Sequence, residues 1–351
     1  MHPFALELKG NLLFIDNSTL STLTTCPRKS CFGVLAKRQE AKSRMALFFG
    51  GAIHKALEIR DLQNEVLCTA KIENLMVDAL IEYYQSCPPT DDYRNLSYAI
   101  RTIEQYNKSW SADITTPITL PTGELAVELP FALPLGELEI NQQIWVRDPD
   151  INSGEAQFRH IDSIQIIFTG KIDRVCQYQN ATYILDHKTT SIGGATFFDE
   201  FYTSHQFRGY SWAMTQLLGR PISGVIINAL ICRPPLKSGQ ANYTFDRQTI
   251  RIDQHQISDW QESFLTIVQT FLHHHAQQPN HSPPERAFPM HTNSCITKYG
   301  KCEFFSVCQL TPKHQPALLF SRLFEENTWT PLQSKPPLTP KQDITFPGLF
   351  Q

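Results

Sequence analysis

The chain has 351 residues, 41% of them hydrophobic and 19% charged, enough apolar material for one large domain or two modest ones, which excludes general disorder. A formal net charge of -3 excludes the uniformly basic surface of a protein that coats nucleic acid, while leaving room for a local basic groove. No apolar run approaches the roughly 20 residues that span a bilayer, and Met1-His2-Pro3-Phe4 lacks the regions of a signal peptide, so a cytoplasmic address without membrane contact is expected.

In chain order, the N-terminal third reads as helix. Ser43 to Asn64 and Ala70 to Gln85 carry apolar residues at helical spacing, Cys87-Pro88-Pro89-Thr90 stops the second run, and a third surrounds Tyr98 to Trp110. From Leu125 the pattern changes to short alternating runs, "LAVELPFALPL", "QQIWVRD", "IQIIFTGKIDRVCQY" and "ATYILDHKT", which predict strands. Helix returns at Ser204 to Leu218, a strand follows at Val225 to Cys232, and Ser258 to Gln278 predicts an amphipathic helix opened by Ser258 or Asp259. This order predicts a mixed α/β fold rather than a regularly alternating one. Beyond Cys308 the chain turns proline-rich, and residues 313–351 read as a tail or partner-docking segment.

The stretch "FTGKIDRVCQYQNATYILDHKTT" carries two acids in apolar surroundings. If Gln179-Asn180 forms a two-residue turn, Tyr178 faces Ala181 and Asp173 faces Asp186, with Lys188 on the same side of the sheet. Opposed carboxylates destabilise an antiparallel pair unless a cation lies between them, and a hard divalent ion with oxygen ligands would relieve the repulsion. A three-residue turn would instead set Asp173 against His187 and send Asp186 to the opposite face. In "FFGGAIHKALE", two glycines and an alanine before His54 would let a helix approach the sheet and deliver an imidazole, with Glu58 on the same helical face. In "HQFRGYSWAM", Gln206 and Tyr210 share a helical face and offer an amide and a phenol, or serve only as packing.

Taken in order, these residues resemble the RecB-like branch of the PD-(D/E)xK nuclease superfamily. Its helix-borne His, "G-x-x-D" strand, "D/E-x-K" strand and "Q-x-x-x-Y" helix read here as His54, Asp173, Asp186 with Lys188, and Gln206 with Tyr210, over about residues 18 to 310. The resemblance implies a restriction-endonuclease-like core and a metal-dependent deoxyribonuclease. His54, Asp173, Asp186 and the main-chain carbonyl of His187 would hold Mg2+ or Mn2+, and Lys188 would orient or activate the attacking water. Glu128, in "AVELPF", matches a glutamate often found before the catalytic hairpin and would act from behind the ligands.

Nine cysteines, an odd number in a reducing compartment, argue against a disulfide framework and direct attention to those that cluster. Cys295, Cys302 and Cys308 fall within "CITKYGKCEFFSVC", while Cys26 lies far away in "LTTCPRKSCF". One remote thiol and a C-terminal trio resemble the iron-sulfur nucleases of this branch, including AddB-type and CRISPR-associated exonucleases, and imply a [4Fe-4S] cluster stapling residues 1–312 into one nuclease domain. Ligand identity leaves a four-thiolate Zn2+ site open as well, and Cys31 could replace Cys26. Cys68, Cys87, Cys176 and Cys232 read as ordinary thiols. Arg28, Lys29, Lys37 and Arg38, with Lys42 and Arg44, form a basic run that could track a DNA backbone, with Phe48 and Phe49 available for stacking; the bland reading is a solvated face. His273 to His275 read as helix surface. The expected activity is exonucleolytic cutting of single-stranded DNA ends in recombination or repair, alongside a separate helicase or recombination partner, since the chain has no P-loop motif. A structure-specific endonuclease, an RNA-cutting enzyme or an idle nucleic-acid-binding module are the alternatives.

Overall fold

A computed structural model describes residues 2–41, 45–63, 69–87, 90–150, 155–297, 300–332 and 337–338. The described elements run β1 (Leu6–Glu7), β2 (Leu12–Asp16), α1 (Asn17–Thr25), α2 (Pro27–Ser30), β3 (Arg38–Glu40), α3 (Met45–Leu62), α4 (Thr69–Tyr84) and α5 (Leu96–Ser109). Then follow β4 (Thr116–Pro117), β5 (Val127–Arg147), β6 (Gln157–Tyr178), β7 (Ala181–Thr190), α6 (Ala195–Asp199), α7 (His205–Leu218), β8 (Gly224–Arg233) and β9 (Asn242–Ile250). The chain continues through α8 (Gln254–Ala276), β10 (Ile296–Thr297), β11 (Gly300–Lys301), α9 (Phe305–Cys308), α10 (Gln315–Leu319) and β12 (Phe324–Glu326). A mixed sheet flanked by helices is the architecture the sequence predicts.

The chain divides into two compact units, Met1–Lys42 with Phe131–Gly170 and Ser258–Thr339, and Ser43–Pro130 with Lys171–Ile257 and Pro340–Gln351. Strands β5 and β6 each give one part to either unit. In the first unit β1 pairs in parallel with β5 and β2 in parallel with β6. Asp16, the last residue of β2, caps α1 by accepting from the Thr19 N–H at 2.7 Å. The core of this unit is aromatic: Phe168 lies 5.1 to 5.5 Å from the rings of Phe131, Trp260 and Phe264. The stretch read as a tail from residue 313 contains α10 and β12, and β12 pairs antiparallel with β3 while Phe324 stacks on Phe304. Residues 333–336 and 339–351 of that stretch lie outside the described residues.

In the second unit β6, β7, β8 and β9 are neighbours in that order, with β4 antiparallel to β6 on its other side. The β7–β8 pair is parallel and so needs a crossover, which α6 and α7 supply. That connection brings the start of α7 back to the end of β7. Helices α3, α4 and α5 bury Phe49, Ile53, Leu57, Leu80 and Ile103 together with Leu230 of β8, each such burial being worth about 1.5–3 kcal/mol.

Two strand predictions, 125–135 and 142–148, merge into the single strand β5. Helix α8 starts at Gln254 rather than at Ser258 or Asp259, because Asp253 and Gln256 form a reciprocal capping box: Asp253 accepts from the Gln256 N–H at 2.8 Å, and Gln256 Oε1 accepts from the Asp253 N–H at 3.0 Å. His275 is buried rather than on the surface, with Nε2 2.7 Å from the Trp145 carbonyl. Strand β9 is absent from the sequence reading because Arg247 interrupts its apolar alternation, although that guanidinium is largely covered.

Candidate metal centre and active site

The β6–β7 hairpin turns on Gln179 and Asn180, both left-handed, with φ of 49° and 62°, the backbone a two-residue type I′ turn demands. The register runs Tyr178↔Ala181 to Arg174↔Leu185. The next residues inward are Asp173 and Asp186, so the two-residue turn prevails over the three-residue alternative. At this point the ladder yields to side-chain bonding: the His187 N–H donates to Asp173 Oδ2 at 2.8 Å.

Asp186 and Lys188, two apart on β7, meet as the period-two rule requires, with Lys188 Nζ 2.7 Å from Asp186 Oδ2. Gln206, in the first turn of α7, bridges them: its Oε1 accepts from Lys188 Nζ and its Nε2 donates to Asp186 Oδ1, both at 3.2 Å. Tyr210 lies one turn further along α7, buried. Asp186 Oδ2 is itself buried and lacks a well-aligned hydrogen bond.

His54 reaches the acids because α3 comes close to its neighbours. A Cβ on Gly50 would stand 2.9 Å from Thr189 Oγ1 of β7, and one on Gly51 would overlap the Tyr83 hydroxyl. His54 Nδ1 lies 3.5 Å from Asp173 Oδ2. Glu128 enters the same group, although the sequence reading placed it behind the ligands: ligating atoms of His54, Glu128 and Asp173 all lie within 4.8 Å of one another. Glu128 is a non-glycine residue held at φ 50°, a conformation that costs of order 1–3 kcal/mol and concentrates at functional sites. Its carboxylate forms an ion pair with Lys171, a residue the sequence reading missed. Lys171 stands two before Asp173 on β6, and that spacing was the available signal. Glu58 turns to Lys55 at 2.7 Å instead.

Three carboxylates share this pocket with two ammonium groups. Burial, reinforced by the Asp173 charge and partly offset by Lys188, pushes Asp186 up to about 6. Burial and Asp173 likewise raise Glu128. Burial would raise Asp173 too, but His54 overrides it and holds that carboxyl below the usual range. Burial would lower His54, yet Asp173 beside it raises its pKa above the ordinary imidazole value. Crowded acids and a converging imidazole suit a hard divalent cation, which would relieve the repulsion that protonation otherwise relieves.

His187 points its side chain elsewhere. Nδ1 is 2.7 Å from Asn228 Nδ2 and Nε2 is 3.6 Å from Asp61 Oδ2. Its imidazole is thus taken up by a polar network that the sequence reading did not find.

In the first unit, Cys26 gathers with the C-terminal trio. The His291 N–H donates to Cys26 Sγ at 3.4 Å, and the short β10–β11 pair brings the Cys302 N–H to the Cys295 carbonyl at 2.9 Å. Burial pushes the Cys308 thiol up to about 11, Arg28 opposes this, and Cys302, Cys26 and Cys295 add to it as neighbouring thiols. Cys31 is fully covered and opens a π-helical turn, Cys31–Leu35. Cys176 and Cys232 are buried, Cys87 is half-buried, and Cys68 lies outside the described residues.

The basic run is not an open cationic face. Arg28 is buried and donates to the Phe288 carbonyl at 2.9 Å, Lys29 pairs with Glu303 at 3.4 Å, Lys37 pairs with Glu7, and Arg38 covers the Phe320 ring at 4.8 Å. Their sequence clustering hid these intramolecular partners. Phe49 is core and Phe48 packs on Tyr83 and Tyr84, so neither is a free stacking platform. Lys42 and Arg44 lie outside the described residues.

Among solved structures the chain is similar to a candidate exonuclease from Eubacterium rectale, with 11% identity and a TM-score of 0.43 over 74% of this chain and 80% of that one. It is also similar to SSO0001, with 8% identity and a TM-score of 0.23 over 63% of this chain and 84% of that one. At these TM-scores neither likeness bears on fold or chemistry. No curated protein matches. A sequence profile of the PD-(D/E)XK nuclease superfamily matches residues 17–309, which takes in the hairpin, its acids and lysine, the imidazole helix, the bridging glutamine and all four clustered cysteines. The chain therefore belongs to the PD-(D/E)XK nuclease superfamily.

Proposed function

We propose that the chain is a divalent-metal-dependent deoxyribonuclease of the RecB-like branch, acting as an exonuclease on single-stranded DNA ends in recombination or repair. The observation that supports metal-dependent cutting is the convergence of His54, Glu128 and Asp173 beside the Asp186–Lys188 pair; the branch, the single-stranded ends and the repair role rest on the resemblance of the motifs. His54 Nδ1, Glu128 and Asp173 would hold the cation, with Asp186 and the His187 carbonyl completing its oxygen ligands. When bound, the ion supplies positive charge to the scissile phosphate and makes nearby water more acidic.

The chain's own groups do the rest. The His187 N–H fixes one lone pair of Asp173 Oδ2, which sets the rotation of that carboxylate. Gln206 can place its amide in one sense only, oxygen to Lys188 and nitrogen to Asp186, so both catalytic side chains are held by one residue. Lys188 Nζ is then poised to orient the attacking water and to stabilise negative charge developing on the phosphate. Asp186 Oδ2, buried and without an aligned hydrogen bond, is an acceptor near that ammonium.

Cys26, Cys295, Cys302 and Cys308 would hold a [4Fe-4S] cluster with a structural role. Four thiolates fit either that cluster or a zinc cage. Iron, sulfide and zinc measured on one anaerobically purified sample distinguish the two.

The test of activity is cutting of end-labelled single-stranded, duplex and end-blocked DNA with Mn2+. The wild-type chain should cut, Lys188→Ala should lose on the order of 10²–10³-fold, and Asp186→Ala at least as much. Equal cutting by all three would end the reading, and cutting of end-blocked substrate would replace exonuclease with endonuclease.

A further inference from the structure

Beside the acids of β5, β6 and β7, strands β8 and β9 carry a second polar cluster that the hydrolytic reading leaves unused. Asp113, just before β4, accepts two parallel N–H bonds from Arg247 of β9, both 2.7 Å long. The same guanidinium lies 3.9 Å over the Trp110 ring, and its Nη2 donates to the Tyr106 hydroxyl at 3.0 Å. Its Nε donates to Asn228 Oδ1 at 2.8 Å.

The hydrogen-bond roles follow from this anchor. A guanidinium only donates, so the Asn228 oxygen must face Arg247, and its Nδ2 must face away. Nδ2 has two protons and two acceptors in reach, the Tyr106 hydroxyl at 2.8 Å and His187 Nδ1 at 2.7 Å. His187 Nδ1 therefore accepts and carries no proton. The ring hydrogen is left on Nε2, which faces Asp61 Oδ2 at 3.6 Å, an electrostatic contact longer than a hydrogen bond, while Asp61 Oδ1 accepts from Arg174 Nη1 at 2.7 Å. Asn228 is fully buried, and His187, Asp61 and Arg174 are nearly so.

Both ends of this relay touch the cation site. His187 supplies the main-chain N–H that holds Asp173 Oδ2. Asp61 lies on α3 seven residues beyond His54, on the same helical face, and is gripped by the residue that follows Asp173 on β6. We propose that Asn228 and Arg247 are positioning residues of the cation site, holding His187 Nδ1 as an acceptor and so keeping the ring as its Nε2–H tautomer, with Asp61 facing the Nε2–H. The lock fixes the backbone donor on Asp173 and the helix that delivers His54. This inference rests on the reading of His54, Glu128 and Asp173 as a cation site.

The experiment uses the full chain stripped of divalent metal. Mn2+ binding is measured by calorimetry on the wild type, Asn228→Ala, Asn228→Asp, Arg247→Met and Asp173→Asn, with melting temperatures alongside. Asn228→Asp keeps the bond to Arg247 but turns an acceptor toward His187 Nδ1, so the ring must place a proton there. Two-bond 1H–15N spectra of histidine-labelled protein should show His187 as the Nε2–H tautomer in the wild type and as Nδ1-protonated in Asn228→Asp. The Mn2+ dissociation constant should rise roughly tenfold in Asn228→Ala and Asn228→Asp, within the range for groups that orient ligands. Asp173→Asn should abolish binding. Wild-type Mn2+ affinity in folded Asn228→Asp, or a wild-type His187 protonated on Nδ1, overturns the inference. Mn2+ binding untouched by Asp173→Asn is a different result: it removes the cation reading and this inference with it.

Discussion

Two polar clusters in the second unit meet at β6, where Asp173 and Arg174 are neighbours, and differ in what their surroundings do to their carboxyls. Around Arg174 and Arg247, Asp61 and Asp113 each face a guanidinium at 2.7 Å, and each carboxyl is held below its usual range, Arg174 and Arg247 outweighing burial. Around Asp173 the acids also have partners, Asp186 with Lys188, Glu128 with Lys171 and Asp173 with His54, yet burial and crowding still push Asp186 up to about 6 and raise Glu128. A cluster that holds its carboxyls low is structure, and one that crowds three acids until two of them are pushed up is a place for a cation.

Breaking the satisfied cluster should give the largest effect on stability. Arg174→Met strands the buried Asp61 carboxylate, and a loss of about 3–5 kcal/mol in urea unfolding is expected. The cluster around Asp173 should respond with the opposite sign. In chelator, Asp186→Asn removes a poorly solvated charge and should stabilise the protein by about 1–3 kcal/mol at pH 7; a destabilised variant would show that Asp186 is already satisfied.

The pH dependence sharpens the same contrast. The folded pKa of Asp186 is raised from 3.8 to about 6, so the folded state binds the extra proton in that window, and stability contributed there declines as pH rises from about 4 to about 6. Asp61 and Asp113 behave conversely: their contribution is present above the ordinary carboxyl value of 3.8 and is lost as pH falls below it. Chemical unfolding in chelator should show the first slope in wild type and a shallower one in Asp186→Asn, where Glu128, also raised, remains. Since protons compete with the cation at His54, whose pKa is raised, as well as at Asp186, Mn2+ affinity should fall by more than about tenfold per pH unit below about 6, measured by calorimetry. The smallest effect belongs to Lys55→Ala, which breaks an exposed pair with Glu58 and should change stability by less than about 0.5 kcal/mol.

How far the sequence was legible follows from the same division. The hairpin register, the facing of Asp173 and Asp186, and the Lys188 contact were readable because a short turn and the two-residue period of a strand fix them locally. The glycines before His54 announced a close approach for a similar reason. Glu128 could be suspected only by resemblance, since its left-handed backbone leaves no local mark. The Arg247 network was invisible: Arg247 meets Asp113 across 134 residues of sequence, and a lone arginine in a half-polar strand reads as surface. The same blindness misjudged Arg28, Lys29, Lys37 and Arg38, whose partners Phe288, Glu303, Glu7 and Phe320 lie elsewhere in the chain.

The most direct test of the central claim is the anomalous difference map of Mn2+-soaked crystals. A peak about 2.0–2.3 Å from His54 Nδ1 and from carboxylate oxygens of Glu128 and Asp173 is the expected result. A fully loaded crystal with no peak in that pocket, or with manganese bound only elsewhere, would contradict it.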